Sequence, residues 1–275
     1  MKTVVVTGAA GVLCSGFSRF LAKEGYRLAL LDRDMKANLA LEAELTASGA
    51  VAKAYEIDVL KKETLEAVHE RVLQDLGPCD ILINGAGGNN PMATVAHETF
   101  RPGDEETAAE EALTFFNLPM EKFGFVFNLN ILGVLLPTQV FSRDMIGRKG
   151  CSIINMTSMC SFRPLTKVVA YSSAKAALSN FTQWLAVYFG GQGIRVNAIS
   201  PGFFVGNQNR SLLFNPDGTP TERTAKILRA TPMGRFGEAV ELQGTLKWLI
   251  DETQSGFVTG VIVPVDGGFS AYSGV

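Results

Sequence analysis

The chain has 275 residues, 47% of them hydrophobic and 19% charged, with 25 Lys and Arg against 27 Asp and Glu and a formal net charge of -2. Without a basic cluster it offers no electrostatic reason to bind nucleic acid or an anionic membrane surface. Its four scattered cysteines (Cys14, Cys79, Cys151, Cys160) and two isolated histidines (His69, His97) supply neither a disulfide framework nor a zinc ligand set, so no metal site is expected.

This length is compatible with two domains, but no Pro/Ser/Gly-rich linker or charge run divides the chain, and one domain over 1–275 is expected. The opening Met1-Lys2-Thr3-Val4-Val5-Val6 enters a strand-like run at once, without an apolar region leading to a small-residue cleavage site. No export signal is read there, and a cytoplasmic location is expected.

Taken in order, the first strand, Thr3 to Val6, leads into Thr7-Gly8-Ala9-Ala10-Gly11-Val12-Leu13-Cys14-Ser15-Gly16 and a helix from Leu13 to Glu24. A glycine turn there lets backbone approach a pyrophosphate at a helix N-terminus, although a lone glycine cluster is also a common tight turn. The second strand, Arg27 to Leu31, ends at Asp32 about 20 residues after that turn, where a carboxylate accepts hydrogen bonds from an adenosine ribose diol and repels a 2'-phosphate. NAD is therefore favoured over NADP, with Arg33 the complication, because a guanidinium could pair with that phosphate. A solvated strand end without a ligand is the competing reading of Asp32-Arg33.

A helix from Met35 to Ser48, a strand from Val51 to Ile57, a helix from Lys62 to Leu76 and a strand from Ile81 to Ile83 follow. The connection 88–118 is long, and Asp104-Glu105-Glu106 before an Ala/Leu/Phe pattern predicts a capped short helix inside it, hence an inserted flap. Met120 to Gly147 reads as a buried helix; its apolar core, Phe123 to Leu136, is interrupted by Asn128, Asn130 and Gly133 and is too short to span a bilayer. After the strand Ser152 to Asn155 comes Ser158, and thirteen residues on, in the helix Ala170 to Phe189, stand Tyr171 and Lys175.

Positions i and i+4 share a helix face, so the Lys175 ammonium sits beside the Tyr171 phenol. A fixed cation favours the phenolate and would turn a phenol with an ordinary pKa of about 10 into an acid/base for a hydroxyl or carbonyl. Ser158 could hold the reacting oxygen. Tyr-x-x-x-Lys also arises by accident on amphipathic helices, so its weight depends on the rest of the chain.

The strand Arg195 to Ile199 is followed by 203–236, with Asn207, Gln208, Asn209 and Arg210 and two short helices split by Asn215-Pro216-Asp217-Gly218. It lies after a strand's carboxyl end, where open α/β sheets place ligands, and is read as a substrate lid. A helix from Glu238 to Asp251 and a strand from Val261 to Val265 complete the pattern. Near-continuous apolar strands alternating with helices predict a doubly wound Rossmann-type α/β fold of about seven parallel strands with helices on both faces.

Together these residues resemble the short-chain dehydrogenase/reductase family, nearly end to end. The matching features are the glycine turn, Asn84-Gly85-Ala86-Gly87, Asn130, Ser158, Tyr171, Lys175, Asn197, Pro201-Gly202 and Asp266-Gly267-Gly268. The resemblance implies an enzyme acting on CH-OH groups. In it Tyr171 is the acid/base, Lys175 lowers the tyrosine pKa and binds the nicotinamide ribose, Ser158 orients the reacting oxygen, and Asn130 holds a water linking Lys175 to solvent. It also implies that Asp58 and Val59 contact the adenine, with Asp58 alternatively a helix cap. Asn84, Ala86 and Gly87 would line the ribose, Gly8, Gly11, Val12 and Leu13 the pyrophosphate, and Pro201, Gly202 and the Phe204 backbone the nicotinamide.

Aligned without gaps, Val12 and Cys14 stand where the family pattern carries glycines, and Gly206 where it usually carries threonine. Cys14 near a helix N-terminus could be oxidisable, with a small packing thiol the favoured alternative.

The flap, the run Phe203 to Arg210 and the ending Phe269 to Val275 resemble members assigned as D-mannonate oxidoreductases, which interconvert D-mannonate and D-fructuronate. Asn89, Arg163, Asn207 and Arg210 are the candidate substrate contacts, together with Asn90 and Lys167, since an arginine fork suits a sugar-acid carboxylate. Each could equally be ordinary surface. Other carbonyl substrates, such as a β-ketoacyl thioester or another polyol or gluconate, and a non-catalytic dinucleotide-binding regulator are the competing readings. The family resemblance further implies a homotetramer.

Overall fold

The computed structural model describes residues 1–206 and 210–274. Seven parallel strands form one sheet in the order β3-β2-β1-β4-β5-β6-β7. They are β1 (Thr3–Thr7), β2 (Arg27–Asp32), β3 (Ala52–Glu56), β4 (Ile81–Asn84), β5 (Cys151–Met156), β6 (Ile194–Pro201) and β7 (Ile262–Val265). The crossovers carry α1 (Val12–Lys23), α2 (Met35–Ala47), α3 (Lys62–Leu76), α4 (Met120–Phe141), α5 (Val169–Gly190), α6 (Arg210–Leu213), α7 (Glu222–Ala230), α8 (Gln243–Ile250) and α9 (Glu252–Ser255).

β1, β4, β5 and β6 are buried along their whole length. Alternate residues of β1 and β2 therefore point into two different cores. Val5, Ala29 and Leu31 meet α3, α4 and α5 through Leu65, Val140 and Leu185. Val4, Val6, Leu28 and Leu30 meet α1, α2 and α8 through Phe17, Leu41 and Leu246. After β3 the chain crosses back to pair β4 with the other edge of β1. The strand order thus reverses between β1 and β4, opening a crevice at the carboxyl ends of those strands.

The helix expected inside 88–118 does not form. Only a short 3-10 turn, Pro91–Ala93, is found, and the rest is a chain of turns. The cause is local: the Asp104 carboxylate, instead of capping the residues after it, accepts from the backbone N–H of Arg101 at 3.0 Å and pairs with His97 Nδ1 at 3.0 Å. Asn117 then donates to the carbonyls of Thr107 and Ala112, holding the return leg by side chain. α4 ends at Phe141 and continues as a 3-10 turn over Ser142–Met145, and α8 is likewise preceded by a 3-10 turn, Ala239–Leu242.

α4 is not uniformly buried, since Phe125 and Leu132 are exposed. With the turn that follows, Met120–Met145 is also long and apolar enough to cross a bilayer by those two criteria, which revises the shorter reading from sequence. In the fold one side of it packs on α3, α5 and β4. The two short helices of 203–236 form as α6 and α7, closed at their base by the Phe214 and Pro220 bridge. Asn207 lies outside the described residues.

Candidate active site

The glycine turn is built by contact between two strand ends. Thr7 Oγ1, at the end of β1, accepts from Gly85 N at 3.1 Å and Ala86 N at 3.2 Å, drawing the chain after β4 against it. Gly8 has φ +65°, and a Cβ there would lie 2.9 Å from the Ala86 Cα and N, so only glycine fits. The N-cap of α1 is Gly11, with no side chain bonding the first turn. Those N–H groups and the helix dipole make an anion cradle at the mouth of the crevice.

Cys14 occupies the room that Gly85 leaves: a side chain at 85 would collide with its Sγ. Burial pushes the Cys14 thiol up to about 12, with the Asp32 charge adding to the effect. It is a packing thiol and no thiolate at neutral pH. Asp32 accepts from Ala10 N at 2.9 Å with one carboxylate oxygen and from Asp34 N at 2.9 Å with the other. It braces the loop while each oxygen keeps acceptor capacity. Arg33 is exposed and has no ion pair among the described residues.

The other adenosine-side candidates divide. Asp58 closes its own turn by accepting from Leu60 N at 3.0 Å. Val59 is buried, its methyl packed on Gly133 of α4. The Asn84 side chain turns into the core, donating to Thr138 Oγ1 at 3.0 Å and Asn155 Oδ1 at 2.9 Å. Only the backbone at Asn84 is left to face the crevice. Gly87 is required bare, because a Cβ would sit 2.7 Å from Asn130 Oδ1 and 3.3 Å from Lys175 Nζ.

A cavity of about 330 Å³ lies where these elements converge. Its walls include Gly8, Gly11, Val12, Leu13 and Cys14 on one side, Ser158, Tyr171 and Lys175 on another, and Pro201, Gly202 and Phe204 above. Asn130, fully buried in α4, donates from Nδ2 to the Gly88 and Val126 carbonyls, both at 2.8 Å, and accepts from Gly88 N at 3.2 Å. It clamps the loop after β4 against α4. Ser158 is extended, its Oγ accepting from Cys160 N at 3.4 Å. Gly202 packs against Asp266 so closely that a Cβ would lie 2.6 Å from its Cα.

Lys175 is 4% exposed and donates to the Met156 carbonyl at 2.7 Å, with its Nζ 5.6 Å from the centre of the Tyr171 ring. Burial lowers its pKa to about 8. The Tyr171 phenol moves the other way, raised above its ordinary value by burial and by the nearby Cys160, against a smaller lowering by the Ser158 hydroxyl. The cation predicted to draw down the phenol is spent largely on a backbone carbonyl. Met156 and Cys160 carry no sequence signal for these roles, since one acts through its carbonyl and the other by position.

Of the candidate substrate residues that are described, Asn89, Asn90, Arg163, Lys167 and Arg210 do not line the cavity. Asn89 is exposed and donates to Thr94 Oγ1. The exposed Arg163 donates to the Tyr272 carbonyl at 2.5 Å, tying the C-terminal tail to the loop after β5. Arg210 opens α6 with its guanidinium over the Phe214 ring. Lys167 has φ +71°, and its carbonyl accepts from Val95 N at 3.0 Å. No cluster of three or more His, Cys, Asp or Glu placed to hold a metal occurs among the described residues.

Comparison with known proteins decides the family. The short chain dehydrogenase model matches residues 2–213. The chain belongs to the short-chain dehydrogenase family. An uncharacterised oxidoreductase of Haemophilus influenzae is 56% identical over 274 residues, covering 100% of this chain and 95% of its own. An uncharacterised oxidoreductase of Bacillus subtilis, UxuB, is 50% identical, covering 100% and 96%. A crystal structure from Haemophilus influenza, solved with bound NAD and provisionally named a D-mannonate oxidoreductase, is 56% identical and superposes with a TM-score of 0.95 over 100% of this chain and 96% of the other. In this short-chain dehydrogenase the Ser158, Tyr171 and Lys175 set therefore stands at the cavity of an oxidoreductase, whose fold matches a dinucleotide-bound relative along its length.

Proposed function

We propose that this short-chain dehydrogenase uses NAD to interconvert a secondary alcohol and a ketone on a sugar acid, D-mannonate and D-fructuronate being the pair. The observation that carries the chemistry is the convergence of Ser158, Tyr171 and Lys175 on one cavity with the glycine cradle. The substrate rests on the 56% identical relative named for D-mannonate. The residues fit the cofactor. Gly8 and Gly11 leave backbone bare where α1 presents uncapped N–H groups, and Asp32 stands at the end of β2 with acceptors for a ribose diol.

When bound, NAD supplies the hydride acceptor and a positive charge in the cavity. Ser158 orients the substrate oxygen by hydrogen bond. Tyr171 Oη takes the hydroxyl proton in oxidation and returns it in reduction. Burial raises the Tyr171 phenol, and the Lys175 ammonium with the positive charge that NAD would bring favours the phenolate that accepts the hydroxyl proton. Lys175 keeps its ammonium below about pH 8 and maintains the positive potential beside the phenol. Asn130 holds the Gly88 loop and with it the floor of the cavity.

The test is cofactor reduction, with NAD and with NADP, across hexonates, simple polyols and hydroxyacyl thioesters, for the unmodified enzyme and Tyr171→Phe. Turnover of D-mannonate with NAD, falling about a thousandfold or more in Tyr171→Phe, is expected. Turnover confined to thioesters would reject the sugar acid, and full activity in Tyr171→Phe would reject the chemistry.

A further inference from the structure

Of the three cavity-lining departures from the family pattern, Val12 and Gly206 stand on opposite walls. One carries a side chain where glycine is usual, and the other lacks one where threonine is usual. The structure brings them together. A Cβ on Gly206 would lie 2.6 Å from Val12 Cγ2, 3.0 Å from Cγ1 and 3.2 Å from Cβ. Rotation about χ1 cannot relieve this, because the Val12 Cβ is itself within 3.2 Å and a β-branched side chain in a helix has essentially one rotamer. Val12 is the first residue of α1, immediately after the Gly11 N-cap, and Gly206 ends the stretch that leaves β6 through Pro201 and Gly202.

We infer that Val12 and Gly206 form an interlock across the cofactor cleft, in which the valine fills the space the glycine leaves and so sets the height of the 203–206 stretch above the glycine cradle. Val12 is in this sense a positioning residue: it acts through the segment that roofs the cavity. The two departures are then one exchange of volume: with valine at 12, a side chain at 206 has no room. Phe204, two residues before Gly206, is fixed from the opposite side, since its ring fills the space that a side chain on Gly237 would need. The segment is therefore held between Val12 and residue 237, with little freedom to rise if a methyl is added at 206.

The inference rests on the NAD reading above, and binding titrations separate the two. NADH and NADPH are titrated by fluorescence into the unmodified protein, Gly206→Ala, Val12→Gly and the double variant, with thermal unfolding midpoints measured alongside. Gly206→Ala is expected to bind the preferred dinucleotide about tenfold more weakly. The double variant is expected to recover to within about threefold of the unmodified protein, a coupling that independent sites do not show. KM for the dinucleotide should move in step with these affinities. If Gly206→Ala does not fold, Val12→Gly and the double variant must bind alike, because the clash has been removed from both. Unchanged affinity in a folded Gly206→Ala, or a double variant weaker than Val12→Gly by about tenfold, overturns the interlock. An unmodified protein that binds neither dinucleotide overturns the cofactor reading and the interlock with it.

Discussion

Lys175 shows how a single side chain can be stabilising for chemistry and costly for the fold. Its ammonium is buried, and its pKa falls from 10.5 to about 8. The unfolded chain therefore binds more protons than the folded one between about pH 8 and 10.5, so the cost is fully present below about pH 8 and fades as pH rises through that window. The shift corresponds to roughly 3 kcal/mol. Lys175→Met should remove turnover yet raise the free energy of unfolding at pH 7 by about 1–3 kcal/mol, with the gain shrinking toward pH 10. Urea unfolding at both pH values checks this. A loss of stability at pH 7 would mean that the Met156 hydrogen bond and the Tyr171 ring outweigh the burial cost.

Among the elements, the 88–118 connection is organised by polar side chains and by the Phe100, Phe115 and Phe116 rings, contacts made within itself, so its stability is separable from that of the sheet. Asp104 is its centre. The Arg101 amide is the main cause holding its carboxyl below the usual range, with His97 assisting. A lowered carboxyl contributes stability at neutral pH that is lost as pH falls through its folded value. Asp104→Ala should speed hydrogen exchange of amides in 95–117 by about tenfold while leaving exchange in β1, β4 and β5 unchanged. Equal acceleration in the strands would show that the connection and the sheet unfold together. The sequence offered Asp104 followed by acidic residues and an apolar pattern, which is how a capped helix begins. It could not show that the carboxylate would be taken by the residue three positions before it.

At the scale of the whole molecule, α5 presents a ladder of stacked rings, with Phe181 and Trp184 centroids 6.2 Å apart and Trp184 and Tyr188 4.9 Å apart. Trp184, Val187 and Tyr188 are exposed at 56%, 84% and 65%, and Phe125 and Leu132 of the neighbouring α4 are exposed as well. An exposed run of apolar rings of this kind is a candidate association surface. We propose that it joins copies of this chain in the homotetramer that the family resemblance implies. Light scattering on the eluted protein should give about four protomers, and Trp184→Glu should give a smaller species, because a carboxylate desolvated at an apolar interface has no partner. An unchanged mass in Trp184→Glu would place the interface elsewhere.

What the sequence determined is what local chemistry and chain order can encode. Apolar runs of strand length alternating with amphipathic helices specify a parallel sheet, and the order of the glycine turn, Asp32, Ser158, Tyr171 and Lys175 specifies a dinucleotide site at its carboxyl edge. The strands were legible to within a residue or two because propensity and burial agree there, whereas the helix start read at Asp104 and that read at Glu238 were not borne out. Tertiary structure decided whatever depends on residues distant in the chain. It turned Cys14 into a buried filler against Gly85, sent the Asn84 side chain into the core, gave the Lys175 ammonium to the Met156 carbonyl, and raised the Tyr171 phenol where a neighbouring cation alone predicts the reverse. It also set Val12 against Gly206, 194 positions apart. No local pattern holds that contact, because steric exclusion between two walls of a cavity exists only once both walls are in place.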